Sequence, residues 1–131
     1  MSIQLLYNDE QNVILARLTG PLVDQTIQDV CVTLEQFVDA HPKCQGILDF
    51  TGVTDVNLSA MIITEKAQNK PIFRGEQRVI VAPTDLLYAM SRMFQLVQDS
   101  SDSGEHTEVV HTMQEAYDIL GISRDDFASV T

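Results

Sequence analysis

Tryptophan is absent from this chain, cysteine occurs only twice, and basic side chains number 8 against 19 acidic ones. Each shortage argues against a class of function. A formal net charge of −11 sets up a long-range field that repels phosphate backbones and anionic headgroups, so neither nucleic acid nor a membrane surface is an expected partner. Cys31 and Cys44 show neither C-x-x-C spacing nor the density of a secreted disulfide scaffold, and free, partly buried thiols are expected. The few glycines are scattered, with Gly46 and Gly52 isolated, so no phosphate-cradling loop is present. H-E-x-x-H and calcium-loop spacings are missing too, and no metal or cofactor is expected. No apolar run approaches the roughly 20 residues that span a bilayer, and no charged-then-apolar leader opens the chain. The expectation is a cytoplasmic protein without membrane insertion.

What remains is the composition of an ordinary globular domain. The chain has 131 residues, 44% hydrophobic and 21% charged, enough for one core and too few for two. Residues 2–7 (SIQLLY) and 13–19 (VILARLT) flank the turn-rich NDEQN and predict an antiparallel hairpin. Gly20-Pro21 then reads as a helix start, because proline is tolerated where its missing N–H costs nothing. From there Val23, Ile27, Val30, Cys31, Leu34, Phe37 and Val38 form an apolar stripe that His41-Pro42 ends. A covered strand is expected over 46–50 (GILDF), followed by the polar loop TGVTDVN and a helix over 58–69. Another strand spans 77–82 (QRVIVA), and Thr84 caps a helix to about Asp99. The segment SSDSGE reads as a loop tip, and the acidic run Asp99, Asp102 and Glu105 as a solvated loop. The last strand covers 106–111 (HTEVVH). Thr112 and Glu115 form a T-x-x-E capping box, and Gly121 closes the final helix.

Strands alternating with helices need crossover connections, so the expected fold is α/β. It comprises a single mixed, mostly parallel sheet of about five strands with about four helices, in the order ββαβαβαβα. The domain is expected to occupy residues 1–122, with 123–131 a C-terminal tail.

The run Asp49-Phe50-Thr51-Gly52-Val53-Thr54 leading to a helix-opening serine, with RVIVAPTDLLYAMSRMFQ and EVVHTMQEAYDILG, resembles the STAS domain superfamily, in particular its SpoIIAA-like branch. The resemblance extends from the first hairpin to Gly121 and implies the fold of anti-sigma-factor antagonists. In those proteins an Asp-Ser-Ser-Gly loop carries a serine that a partner kinase phosphorylates to switch partner binding. The matching positions here are Asn57, Leu58, Ser59 and Ala60, so only the second serine is kept. The resemblance therefore implies a non-enzymatic, protein-binding role in signalling, with Ser59 as the switch and a regulator or kinase as partner. Some members of the branch resemble CRAL-TRIO lipid-transfer domains in fold, which implies an alternative role in binding a small apolar, lipid-like ligand.

The residues themselves supply two candidate surfaces. Leu58, Ala60, Met61, Ile62 and Ile63 leave no polar face at the predicted helix start except Ser59. The chain's own loop, a second subunit in a homodimer, a partner protein or an apolar ligand could each cover it. The corresponding partner-binding surface is Thr51, Thr54, Asp55, Asn57, Leu58, Ser59, Met61 and Ile62, with Asn57 or Ser59 also suited to capping the helix. The second candidate is an apolar pocket walled by Met61, Tyr88, Met90, Met93 and Phe94, since methionines line adaptable binding surfaces as well as plain cores. Four cations, Lys66, Lys70, Arg74 and Arg78, gather in one stretch, too sparsely for a nucleic-acid stripe. No nucleophile stands beside a base. His106 and His111, five apart on one strand, would face opposite sides and could not jointly hold a metal.

Overall fold

A computed structural model describes residues 2–101, 106–123 and 127–130. Six strands form one sheet in the spatial order β5-β4-β3-β2-β1-β6. Strand β1 (Ser2–Asn8) pairs antiparallel with β2 (Val13–Val23) as the hairpin pattern predicts. β2, β3 (Gln45–Asn57), β4 (Arg78–Val81) and β5 (Thr107–Val110) are mutually parallel. Helices α1 (Asp24–Ala40), α2 (Ala60–Gln68), α3 (Asp85–Ser101) and α4 (Met113–Leu120) make the crossovers.

Alternation along the strands divides the core in two. Ile14, Ala16, Leu18, Phe50 and Ile80 face the stripe of α1 and the inner side of α3. Val13, Leu15, Ile47, Val79 and Val81 face α4, whose Ala116 and Tyr117 are buried against them. The capping box of α4 forms as expected: the Thr112 hydroxyl accepts from the Glu115 N–H at 3.3 Å, the Thr112 N–H donates to Glu115 Oε1 at 3.2 Å, and Gly121 closes the helix at φ 68°.

Three departures from the sequence reading bear on function. The pair Gly20-Pro21 does not start a helix; β2 runs on to Val23 and α1 begins at Asp24. Pro21 falls at a register shift between Gly20 and Leu22, so its missing N–H leaves no regular ladder bond unmade, while Leu22, 1% exposed, keeps the strand on the core. TGVTDVN is likewise strand rather than loop, because residues 52–57 pair with the prolonged β2. The result is a two-stranded ribbon that outruns β4, whose last pair is Asp49 with Val81. At that junction the buried Asp49 carboxylate accepts from Arg17 Nε at 3.1 Å and from the Thr51 N–H at 2.8 Å, the compensation a buried charge requires. The segment after α4 shows no sequence pattern, yet Phe127 packs beside Tyr117 and β6 (Ala128–Ser129) adds two residues to the free edge of β1. Of the acids expected in a solvated loop, Asp99 instead lies half-buried on the last turns of α3, and Asp102 and Glu105 fall outside the described residues.

Candidate binding site

The ribbon delivers the chain to α2 through Leu58 and Ser59. Ser59 is extended (φ −78°, ψ 147°), and its Oγ accepts from the Ile62 N–H at 3.1 Å, satisfying one of the orphan donors of the first turn. Of the two capping candidates, Ser59 takes the role. The same hydroxyl donates to Asp24 Oδ2 at 2.8 Å, and the Ser59 N–H donates to Asp24 Oδ1 at 2.9 Å. Asp24 opens α1, where the positive end of the helix dipole favours its charge. One carboxylate therefore ties together the beginnings of two helices that lie 35 residues apart in the chain.

This geometry corrects the reading of an open apolar helix start. Ile62 and Ile63 are 5% and 8% exposed, and Leu58 is half-buried against the main core. The chain's own sheet and helices cover them, because a helix lying in the angle between a sheet and a neighbouring helix can bury two faces. Of the large apolar side chains there Met61 projects, at 76% exposure, beside the exposed Ser59 and Ala60. Thr51, Thr54, Asp55 and Asn57 are exposed along the ribbon, whereas Ile62 is buried and Leu58 half-buried.

A cavity of about 150 Å³ lies between the sheet and the three helices α1, α2 and α3. Its wall is mainly apolar, with Val30 and Leu34 from α1, Phe50 from β3, Ile63 from α2, and Leu87 and Met90 from α3. The loop between α2 and β4 closes one side. There the Phe73 ring lies directly on Gly46: a Cβ at that glycine would sit 2.1 Å from Phe73 Cζ, so only glycine leaves room for the ring. The polar lining separates into two groups. Buried Arg78 and Gln98 belong to a closed network in which Arg78 donates to Gln98 Oε1 at 3.1 Å and to Thr107 Oγ1 at 2.9 Å. Glu35, Lys66, Asn69 and Lys70 are exposed or half-exposed and mark the mouth. Cys31 lines the cavity too; burial pushes its thiol pKa up, against the nearby Lys66 ammonium that lowers it, and Glu35 raises it further.

Of the five residues expected to wall a pocket, Met90 and Phe94 do so. Tyr88 instead stacks on His111 at 4.2 Å between ring centroids, Met93 is 36% exposed, and Met61 points away to solvent. The residues that sequence reasoning missed are Gly46, Lys66, Lys70 and Phe73. The apolar pair Ile72-Phe73 inside a polar, proline-marked stretch was the available signal, since such side chains rarely stay in solvent together. His106 and His111 flank β5 rather than sharing it, and among the described residues no group of three or more histidine, cysteine or acidic side chains could hold a metal ion. Among the described residues no helix is long and apolar enough to cross a membrane.

No protein-family model matches the sequence, and no curated protein matches it. The similarity lies in three dimensions. The unphosphorylated anti-sigma factor antagonist SpoIIAA superposes with a TM-score of 0.57 at 14% identity, covering 92% of this chain and 98% of SpoIIAA. Phosphorylated SpoIIAA, a Bacillus cell fate determinant, gives 0.55 at 15% identity over 91% of this chain and 99% of its own. An uncharacterised Shewanella loihica protein with a SpoIIAA-like fold gives 0.58 at 16% identity, covering 91% of this chain and 92% of that one. By these superpositions the chain carries a SpoIIAA-like fold.

Proposed function

We propose that this chain is a non-enzymatic binding module whose internal cavity takes a small apolar molecule, as a carrier or a sensor. The cavity itself carries the reading. Its mainly apolar wall opens at a mouth lined by Glu35, Lys66, Asn69 and Lys70, and with no guest that wall is left to water, which forfeits the free energy of covering it. An occupant recovers that loss, and apolar cavities of about this size accept benzene-sized guests. Native mass spectrometry and organic extraction of freshly purified protein test the reading: a bound lipid-like species is expected, or a rise in Tm when 1-hexanol is added. Protein that is empty and whose Tm ignores the alcohol refutes it.

A second reading, regulation through a protein partner, is favoured by the position of Ser59. Its hydroxyl is at the surface, next to the exposed Met61 and the polar strip from Thr51 to Asn57. SpoIIAA, which shares this fold, is an anti-sigma factor antagonist known in phosphorylated and unphosphorylated forms. A phosphate on Ser59 would bring a charge of about −1.5 to −2 against the Asp24 carboxylate, breaking the tie between α1 and α2 and changing the strip. The partner is a regulator or kinase, or a second copy of the chain. Light scattering distinguishes the homodimer, and Ser59→Asp should weaken partner binding more than Ser59→Ala, which loses the same hydroxyl contact with Asp24 without adding charge; binding by Ser59→Asp equal to that of the unaltered chain removes this reading.

A further inference from the structure

Charge is distributed around the cavity in a way opposite to the molecule as a whole. The chain carries 8 basic and 19 acidic side chains, yet three of the basic ones, Lys66, Lys70 and Arg78, line this cavity, and among the described residues Glu35 is the only acid that does. Among the described residues neither Lys66 nor Lys70 forms a salt bridge. Arg78 is engaged by Thr107, Gln98 and the Glu76 carbonyl deep in the fold, so it adds positive potential without offering itself as a ligand. The lysines stand at the mouth, one on the last turns of α2 and one just beyond it. Long lysine stems cover apolar wall while their ammonium groups stay in water, which places two cations where a guest's end would emerge.

We propose that the ligand is a small amphiphilic monocarboxylate, its apolar body against Phe50, Leu87 and Met90 and its carboxylate at the mouth between Lys66 and Lys70. This rests on the apolar-ligand reading above and specifies its chemistry. The volume sets the size: 150 Å³ holds about six carbons, as in hexanoate or the ring of benzoate. A longer chain would have to displace Phe73 from Gly46. The −11 molecule would otherwise repel an anion, and at the mouth two ammonium groups outnumber the single Glu35 carboxylate, which reverses the balance of charge locally.

Titration of the full chain with hexanoate, 1-hexanol and hexylamine, followed by the Met90 methyl resonance and by calorimetry, separates the possibilities. The carboxylate should bind roughly fivefold to tenfold tighter than the alcohol, the scale of one or two partly exposed ion pairs. The amine should bind weakest, and raised salt should erase the preference. In the Lys66→Gln, Lys70→Gln double variant hexanoate should fall to the level of the alcohol, while the alcohol itself binds unchanged. Equal binding of acid and alcohol by the unaltered chain overturns the assignment of an anionic ligand and leaves the apolar site standing. Failure of all three to perturb Met90 overturns both.

Discussion

The contact of Phe73 with Gly46 can be tested quantitatively. A methyl group placed on Gly46 would lie 2.1 Å from Phe73 Cζ and 2.5 Å from Cε1. Carbon atoms prefer about 3.5–4.0 Å, so the ring tip must retreat by roughly 1.4–1.9 Å. Gly46 is buried on β3 and lacks a positive φ, so alanine suits the backbone and the steric effect stands alone. Overpacking of this kind costs about 1–3 kcal/mol. The lower entropy of the unfolded alanine chain offsets about 0.4–1 kcal/mol of it. Gly46→Ala should therefore destabilise the protein by between about 0 and 2.6 kcal/mol. In a Phe73→Ala background the new methyl meets space, and the same change should be neutral or slightly stabilising. The coupling between the two positions is thus expected at about 1–3 kcal/mol, measurable by urea unfolding monitored by circular dichroism with m held constant across variants. Additivity to within about 0.5 kcal/mol would refute the packing of Phe73 on Gly46, and with it the closed side of the cavity.

Removing the hydroxyl that caps α2 and binds Asp24, by Ser59→Ala, should cost about 0.5–2 kcal/mol of unfolding free energy; an unchanged denaturation midpoint would argue against the tie between α1 and α2. Cys44 gives a pH dependence. It is fully buried, and burial raises its thiol pKa from 9.0 to about 11. The unfolded chain releases this proton first, so the native state holds more protons between pH 9 and 11, and stability is complete below 9 and falls as pH rises through that window. The loss approaches 2–3 kcal/mol, on the order of 1.4 kcal/mol per pH unit. In Cys44→Ala the slope of Tm against pH should flatten over that window; an identical slope would show that Cys44 is not its source.

Local features of the fold were legible because local chemistry decides them. The apolar stripe of α1 and the Thr112 to Glu115 box each depend on neighbours within a few residues, and both appear as expected. The parallel order follows from the alternation of strands with helices. The extension of β2 and β3 was illegible for the opposite reason. Pro21 and the polar run at 51–57 have turn chemistry, but each segment is strand because the other pairs with it, Gly20 with Val53 and Leu22 with Val56. A window of sequence contains only one partner of such a pair. The same holds for the apolar start of α2, whose pattern shows a surplus of hydrophobic faces without showing that the fold offers two surfaces to bury them. The cavity is the extreme case: Gly46, Lys66, Phe73 and Met90 belong to four separate segments, and no spacing connects them.

The short pairing of Ala128 and Ser129 with Tyr7 and Leu6 has a consequence beyond the count of strands. A sheet that ended at β1 would present a row of unsatisfied amides and carbonyls to any chain able to add to it. The carboxy-terminal segment occupies part of that row, with the Val130 N–H donating to the Leu5 carbonyl at 3.0 Å. Residues 128–130 thereby reserve part of this vulnerable border for the chain itself, and removing them would leave that part of the row open to a strand from another molecule.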